Sequence, residues 1–265
     1  MKLQTIPNVV IALLFLTAGA IHGCAQQKSY EDMSRAERVA FVGEQARRIG
    51  REISGSDYAF TPAFEEDIQK AVMQYATRVN KQNGSRLLPV VFARGTTEAP
   101  KLIAAFKARN ISPLIGLYIP WVESAYVNIQ SPNSMGAIGM FQFLPKTGEH
   151  YGLSAAELLD VDKSADAAAR YIIDSLETFK GDPMKEAMAL LSYNRGVQRT
   201  ARDLKALVNE QNKQCSICAL NADRDKLDET FRTESVYYVP LFFAAALIGE
   251  NPQVFGLQGQ PLSAY

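Results

Sequence analysis

Apolar residues recur along this chain at the helical period, and that repeat fixes its fold class. Val39, Val42, Ala46, Ile49 and Ile53 fall on one face of a 3.6-residue turn. Ser34 followed by Glu37 reads as a capping box ahead of that face, and Gly55-Ser56 ends it. Thr61-Pro62 opens a second helix, where a proline loses nothing because the first N–H groups have no partner. Its inward face is Phe64, Ile68, Val72, Tyr75 and Val79, and Asn83-Gly84-Ser85 breaks it. Leu87 to Phe92 suits a short strand or the start of another helical stretch, and we take the helical reading. A helix from about Pro100 carries Leu102, Ile103 and Phe106 and stops at Asn110, and the strongly apolar run Ile111 to Tyr126 follows. Later helices are expected at Ala155 to Leu159 (capped by Ser154 and Glu157), Ala165 to Phe179, Met184 to Tyr193 and Ser235 to Ile248. Gly181 and Gly196 stand where helix C-caps fall. Val236 to Ile248 is almost wholly apolar, but it is short and holds Pro240, which makes it a core helix and not a membrane span. The expected fold is mainly α, with a helical N-terminal part over residues 34–110 packed on a C-terminal part.

The chain has 265 residues, of which 47% are hydrophobic and 21% charged, an ordinary globular balance. Its 28 basic and 28 acidic residues cancel, which argues against a dedicated nucleic-acid binder. The first residues read as a targeting segment: Lys2, then an apolar run from Val9 to Ala20 too short to span a bilayer comfortably. The run ends at Ile21-His22-Gly23-Cys24, which resembles the bacterial lipobox, although His22 replaces the usual small residue. That resemblance implies a lipoprotein signal peptide over 1–23, lipidation of Cys24 and a polar tether over 24–33. Ala25 after the cysteine implies sorting to the periplasmic face of the outer membrane. In an exported chain the remaining cysteines, Cys215 and Cys218, favour a local disulfide. Zinc would need further ligands, and His22 and His150 are the only histidines. No cofactor or metal is suggested.

Chemistry is concentrated at Trp121-Val122-Glu123-Ser124-Ala125-Tyr126. Glu123 ends an apolar run that includes Leu117, Tyr118, Ile119 and Trp121. A carboxyl held against apolar groups is desolvated, its charged form is penalised, and it keeps its proton nearer neutral pH. Such a group can donate a proton to a leaving oxygen. On composition alone a glutamate facing water is the commoner outcome. The turn-rich Ser131-Pro132-Asn133-Ser134 comes next, then Met135-Gly136-Ala137-Ile138-Gly139-Met140-Phe141-Gln142. Glycines three apart permit close backbone approach, and apolar faces beside one amide suit a sugar cleft, though a packing turn is the ordinary use of such a segment.

Glu123-Ser124 followed by Gly136-Ala137-x-Gly139-Met140-x-Gln142 resembles the catalytic core of the soluble lytic transglycosylase and goose-type lysozyme superfamily. Phe143-Leu144-Pro145-x-Thr147-Gly148 and Tyr151-Gly152-Leu153 are more similar to the membrane-bound lytic transglycosylase D branch. Ala168-Ala169-Arg170-Tyr171, Ser192-Tyr193-Asn194-x-Gly196 and Glu234-Ser235-x-x-Tyr238-Val239-Pro240 resemble later family motifs in the same order. The resemblance runs roughly from Ile111 to Leu257, and implies a lysozyme-like domain over 111–257 with a short tail over 258–265. In this chain the family serine that lies three before the first glycine falls on Asn133, so Ser131 or Ser134 is the expected substitute. Leu144 stands where many relatives have methionine, and no sugar-binding repeats follow.

The resemblance implies cleavage of peptidoglycan between N-acetylmuramic acid and N-acetylglucosamine, leaving 1,6-anhydromuramic ends, with Glu123 as the single acid/base. Between Glu123 and Gln142 there is no other Asp or Glu. It also implies that Ser124 and Gln142 position Glu123 and the sugar, and that Tyr193 and Asn194 line the cleft, with Tyr193 near the N-acetyl group. Ser134, Gly136, Met140, Glu234 and Tyr238 complete the expected binding set, and a helix brace is an equal expectation for Glu234. Two other readings compete: a goose-type hydrolase with a second carboxylate, and a catalytically idle envelope lipoprotein that binds peptidoglycan. A chitin-active enzyme on the same fold is a weaker third.

Overall fold

The computed structural model describes residues 28–77 and 87–265. The leader, Cys24, and the break at Asn83-Gly84-Ser85 with Val79 lie outside the described residues. Ten α-helices are described: α1 Arg35–Ser54, α2 Pro62–Thr77, α3 Leu88–Ala108, α4 Pro113–Ser124, α5 Pro145–His150, α6 Val161–Thr178, α7 Lys185–Arg195, α8 Val197–Leu207, α9 Ser216–Ala222 and α10 Val236–Glu250. The mainly α expectation holds. Among the described residues the only extended pairing is two isolated bridges, Ile129 with Gly139 and Ile138 with Phe143.

Local signals explain most boundaries. Ser34 and Glu37 form the reciprocal capping box of α1, and Gly55 closes it in the left-handed region at φ 72°. Asp160 caps α6 by accepting from the N–H groups of Asp162 and Lys163, so that helix begins four residues before the expected Ala165. The two segments expected at Leu87–Phe92 and from Pro100 are one helix, α3, with Pro100 inside it. Its buried face, Val91, Phe92, Gly95, Ala99, Leu102, Ile103 and Phe106, continues through the proline, so packing outweighs the lost hydrogen bond. Ser154 and Glu157 do cap each other, but the helix expected at Ala155 to Leu159 is a single 3₁₀ turn, Glu157–Leu159. Gly181 is not a C-cap; Phe179 ends α6. Gly196 ends α7 at φ 85° and α8 starts directly from it.

Helix α10 lies at the centre. Thirteen of its residues are buried, from Val236 to Glu250, and it packs against α1, α2, α4 and α7. The crossing with α4 is close: a β-carbon on Gly249 would overlap the Tyr118 ring. Helix α3 pairs with α4 and α6, and α6 with α7. A single apolar core runs from Tyr30 to Leu262.

Both chain ends of the described fold join that core. Residues 28–33, expected as tether, are docked: Tyr30 is 2% exposed, donates its N–H to Val254 O at 2.8 Å and stacks on Phe255 at 5.0 Å. In the expected tail, Leu262 is fully buried and Ser263 donates to the buried Glu250 at 2.5 Å. Tyr118 donates to the same carboxylate at 2.5 Å, so the tail is fastened to α4 and α10 together.

Candidate active site

Helix α4 delivers Glu123 in its last turn and then stops abruptly. Ala125 (φ 54°) and Tyr126 (φ 59°) both take the left-handed conformation, and their N–H groups return to Trp121 O and Pro120 O at 3.2 Å. Two successive non-glycine residues there cost about 1–2 kcal/mol each. The buried Tyr126 side chain offsets this by donating to Leu117 O at 2.7 Å and packing edge-on against Trp121. The turn leaves Glu123 at the carbonyl end of α4, where the helix dipole also disfavours a negative charge.

The Glu123 carboxyl lies among apolar and phenolic groups, while the residue as a whole keeps an open face. Burial pushes its pKa up to about 7, against a smaller downward effect from the Tyr238 hydroxyl, which donates to Oε1 at 2.7 Å. The phenols of Tyr193 and Tyr238 are driven well above their ordinary range, first by burial and then by the Glu123 charge. Glu123 is the one carboxylate that acts on either phenol, and no second carboxylate shifts Glu123.

The floor is the segment that follows. Ser124 Oγ donates to Met140 O at 2.7 Å, fastening the end of α4 to the glycine turn. Gly139, at φ 79°, pairs with Ile129, and a β-carbon there would run into the Leu158 carbonyl, so glycine is required on two counts. Gln142 is itself left-handed at φ 50° and donates Nε2 to Gly139 O at 2.8 Å. Tyr193 donates its hydroxyl to Phe141 O at 3.0 Å, and its ring lies 5.8 Å from Phe143 and 5.3 Å from Tyr171. Tyr193 and Tyr238 thus meet Glu123, and Ser124 ties the turn that carries Met140 and Gln142 to the end of the same helix.

The remaining expected residues form no hydrogen bond with Glu123 among the described residues. Ser131 and Ser134 are exposed, and Asn133 between them organises the loop. Its Oδ1 accepts from Met135 N (2.8 Å) and Ala137 N (3.0 Å), and its Nδ2 donates to Gln142 Oε1 at 3.4 Å. Gly136, at φ 86°, sits on that loop beside the exposed Met135. Asn194 accepts from Ser235 Oγ at 2.7 Å and so holds the start of α10 in place. Glu234 is exposed on a single π-helical turn, Phe231–Ser235, that leads into α10 one turn before Tyr238.

Sequence reading missed Arg195, the residue between Asn194 and Gly196. It is 4% exposed, donates to Asp203 at 2.8 Å, makes a two-point bond to Asp228 at 2.8 Å, and lies over the Phe231 ring at 5.4 Å. The Arg195 bonds, then the Phe231 N–H that donates to Asp228 at 3.0 Å, with a smaller contribution from Arg199, hold the Asp228 carboxyl well below the usual range. No local spacing marks this hub, since its partners come from two separate segments, α8 and residues 228–231. Cys215 and Cys218 are bonded at the start of α9, with Cα atoms 5.2 Å apart, and Cys218 Sγ accepts from Thr61 N at 3.3 Å. No cluster of three or more metal-ligating side chains occurs among the described residues.

Residues 101–215 match the model of the Transglycosylase SLT domain. That match supports the lytic transglycosylase and lysozyme-like family, and with it a helical lysozyme-like domain in this chain. It covers Glu123, the glycine turn and Tyr193, and stops short of α10, which carries Tyr238. No curated protein matches the chain.

Proposed function

We propose that this protein is a peptidoglycan lytic transglycosylase that cuts the bond from N-acetylmuramic acid C1 to the O4 of N-acetylglucosamine, with Glu123 as its only acid/base. The observation that carries this reading is the Glu123 carboxyl with its pKa raised by burial to about 7 and its Oε1 accepting from Tyr238, with no carboxylate among the described residues shifting it. Most glycosidases pair two carboxylates, one for the leaving oxygen and one for water or the anomeric carbon. A lone carboxyl instead suits a reaction in which the substrate supplies the nucleophile.

In the proposed sequence, protonated Glu123 gives its proton to the bridging oxygen as the C1–O bond breaks. The electron pair of that bond leaves with the N-acetylglucosamine hydroxyl. The neighbouring N-acetyl carbonyl stabilises the positive anomeric carbon. The muramic C6 hydroxyl then bonds to C1, and its proton returns to the Glu123 carboxylate. The product is a 1,6-anhydro ring, no water is consumed, and the enzyme ends in its starting state. A nucleophile on the same sugar has a high effective concentration. Tyr238 steadies the carboxylate between the two transfers, and Ser124 and Tyr193 hold the 140–142 floor against it. Among relatives, the motifs after Gln142 favour the membrane-bound D branch, and the leader is read as a lipoprotein signal with Cys24 as anchor at the outer membrane.

Mass spectrometry of purified peptidoglycan digested by the full chain tests the chemistry. We expect muropeptides ending in 1,6-anhydromuramic acid, and a loss of several orders of magnitude with Glu123→Gln, whose amide cannot give and regain the proton. Reducing ends in their place would make the protein a hydrolase. Release from membranes by Cys24→Ala tests the anchor.

A further inference from the structure

The chemistry at Glu123 makes no use of the Cys215–Cys218 disulfide, yet the bond stands where two helices of the site begin. A recess of about 240 Å³ opens between the first turn of α2 and α9, and Thr61, Phe64, Cys218 and Asn221 are in its wall. Cys215 is not in that wall. Both cysteines are otherwise buried, so a small thiol meets the bond from the Cys218 side. The Thr61 N–H donates to Cys218 Sγ at 3.3 Å, and a donor aimed at sulfur favours its thiolate.

Helix α9 has seven residues, too few to stand as a helix alone. The disulfide closes its first turn, and Ser216 Oγ donates to Asp182 at 2.7 Å. At its far end the buried Asn221 Nδ2 donates to Val236 O at 3.0 Å. Val236 is the first residue of α10 and lies two before Tyr238. Asn221 Oδ1 has no partner among the described residues, so the side chain is fixed from one end only. On the other side of the recess α2 carries Tyr75, which packs edge-on against Trp121 with ring centroids 6.1 Å apart. The disulfide thus braces a joint between α2 and α10, which approach Glu123 through Tyr75 and Tyr238.

We propose that Cys218 is a thiol-exchange site, at which a small dithiol enters by this recess, opens the disulfide and loosens the joint that seats Tyr238. One thiolate of the reagent attacks Cys218 Sγ and forms a mixed disulfide. The Cys215–Cys218 bond breaks, and its electron pair leaves on Cys215 Sγ, which takes up a proton. The second thiolate of the reagent then attacks the reagent's own sulfur, closing a cyclic disulfide and releasing Cys218 as the thiolate that the Thr61 N–H supports. Two electrons pass from the dithiol to the two cysteines, and no further reductant is needed.

Dithiothreitol is the probe, applied to the full chain below its unfolding transition. Thiols are trapped with iodoacetamide and mapped by mass spectrometry, which separates Cys24 from the pair. We expect Cys218 to be labelled at least about fivefold faster than Cys215, since the recess reaches it and the N–H favours its thiolate. Trp121 is the only tryptophan, so its emission reports on the contact with Tyr75. That emission should change on reduction and return on reoxidation, with the helical circular dichroism unaltered. Peptidoglycan cleavage should fall about tenfold and the alkaline limb of its pH profile move up, as loss of the Tyr238 bond demands, a consequence that rests on the transglycosylase reading. The Cys215→Ser/Cys218→Ser variant should show the emission of the reduced protein and ignore the thiol. A bond that resists dithiothreitol until the protein unfolds overturns the inference, as does faster labelling of Cys215. So does an opened bond with unchanged Trp121 emission. Loss of the helical signal on reduction also overturns it, by making the disulfide a staple of the whole fold. Failure of the oxidised protein to cleave peptidoglycan would sink the transglycosylase reading alone, since labelling and emission are measured without catalysis.

Discussion

The hydroxyl of Tyr238 donates to Glu123 Oε1 at 2.7 Å, joining the first turn of the last α-helix to the end of α4 across 115 residues of sequence. That bond favours the carboxylate and partly counters the upward pull of burial. Removing it by Tyr238→Phe raises the pKa of Glu123 further. A hydrogen bond to a charged group is worth about 1.5–3 kcal/mol, so the alkaline limb of the pH–rate profile should move up by about one pH unit or more. The maximal rate should fall about tenfold, because the carboxylate that forms after the first proton transfer loses its support. An unshifted profile would show that Tyr238 does not touch the working carboxyl.

Glu123 also makes stability depend on pH. Its folded pKa is raised from 4.5 to about 7, so between those values the folded state holds a proton that the unfolded chain has released. Stability therefore falls as pH rises through that window, and above about pH 7 the penalty reaches about 3 kcal/mol. Glu123→Gln has no such penalty. Urea unfolding should find the variant close to wild type at pH 4 and more stable at pH 8. A difference independent of pH would mean that the carboxyl is not desolvated in the folded protein.

Arg195 carries the strongest structural expectation. Arg195→Met leaves Asp203, with 5% side-chain exposure, buried with only the exposed Arg202 at 3.9 Å as cation, and such losses typically cost about 3–5 kcal/mol. Replacing both Arg195 and Asp203 by apolar residues should recover much of that loss, which a double-mutant cycle in urea measures. Additive losses would dissolve the pair as a unit.

Gly139→Ala should disable the site more than the fold. The new β-carbon meets the Leu158 carbonyl and the residue is held at φ 79°, so the turn must move and take the Met140 and Phe141 carbonyls with it. We expect destabilisation of about 2–4 kcal/mol. Peptidoglycan cleavage should fall at least a hundredfold in protein still folded by circular dichroism, as small displacements of positioning groups warrant. Retained activity would detach this turn from catalysis.

Glu123 and its neighbours were legible in the sequence because their signals are local: an apolar run ending in a carboxylate, then glycines and an amide at fixed spacing. The helices with a clean apolar face and a capping residue were equally legible, as α1 was from Ser34, Glu37 and Gly55. What escaped depends on distant partners. Pro100 looked like a helix start, yet residues on both sides of it share one buried face. Helix α8 was missed although Val197, Ala201, Leu204 and Leu207 pack on the core, because its most buried residues, Thr200 and Asp203, are polar and find their place through Gly196 and Arg195. Asn133 looked like a departure from the family serine, and only the loop geometry gives its carboxamide three partners.

The central position of α10 bears on when the molecule can assemble. The helix is last among the ten, yet α1, α2, α4 and α7 all close upon it. A nascent chain that has not yet reached Val236 holds those four helices without the one they share, and Glu123 without Tyr238. Closure of the core and completion of the acid therefore depend on the same segment, one made after all four of the helices it joins.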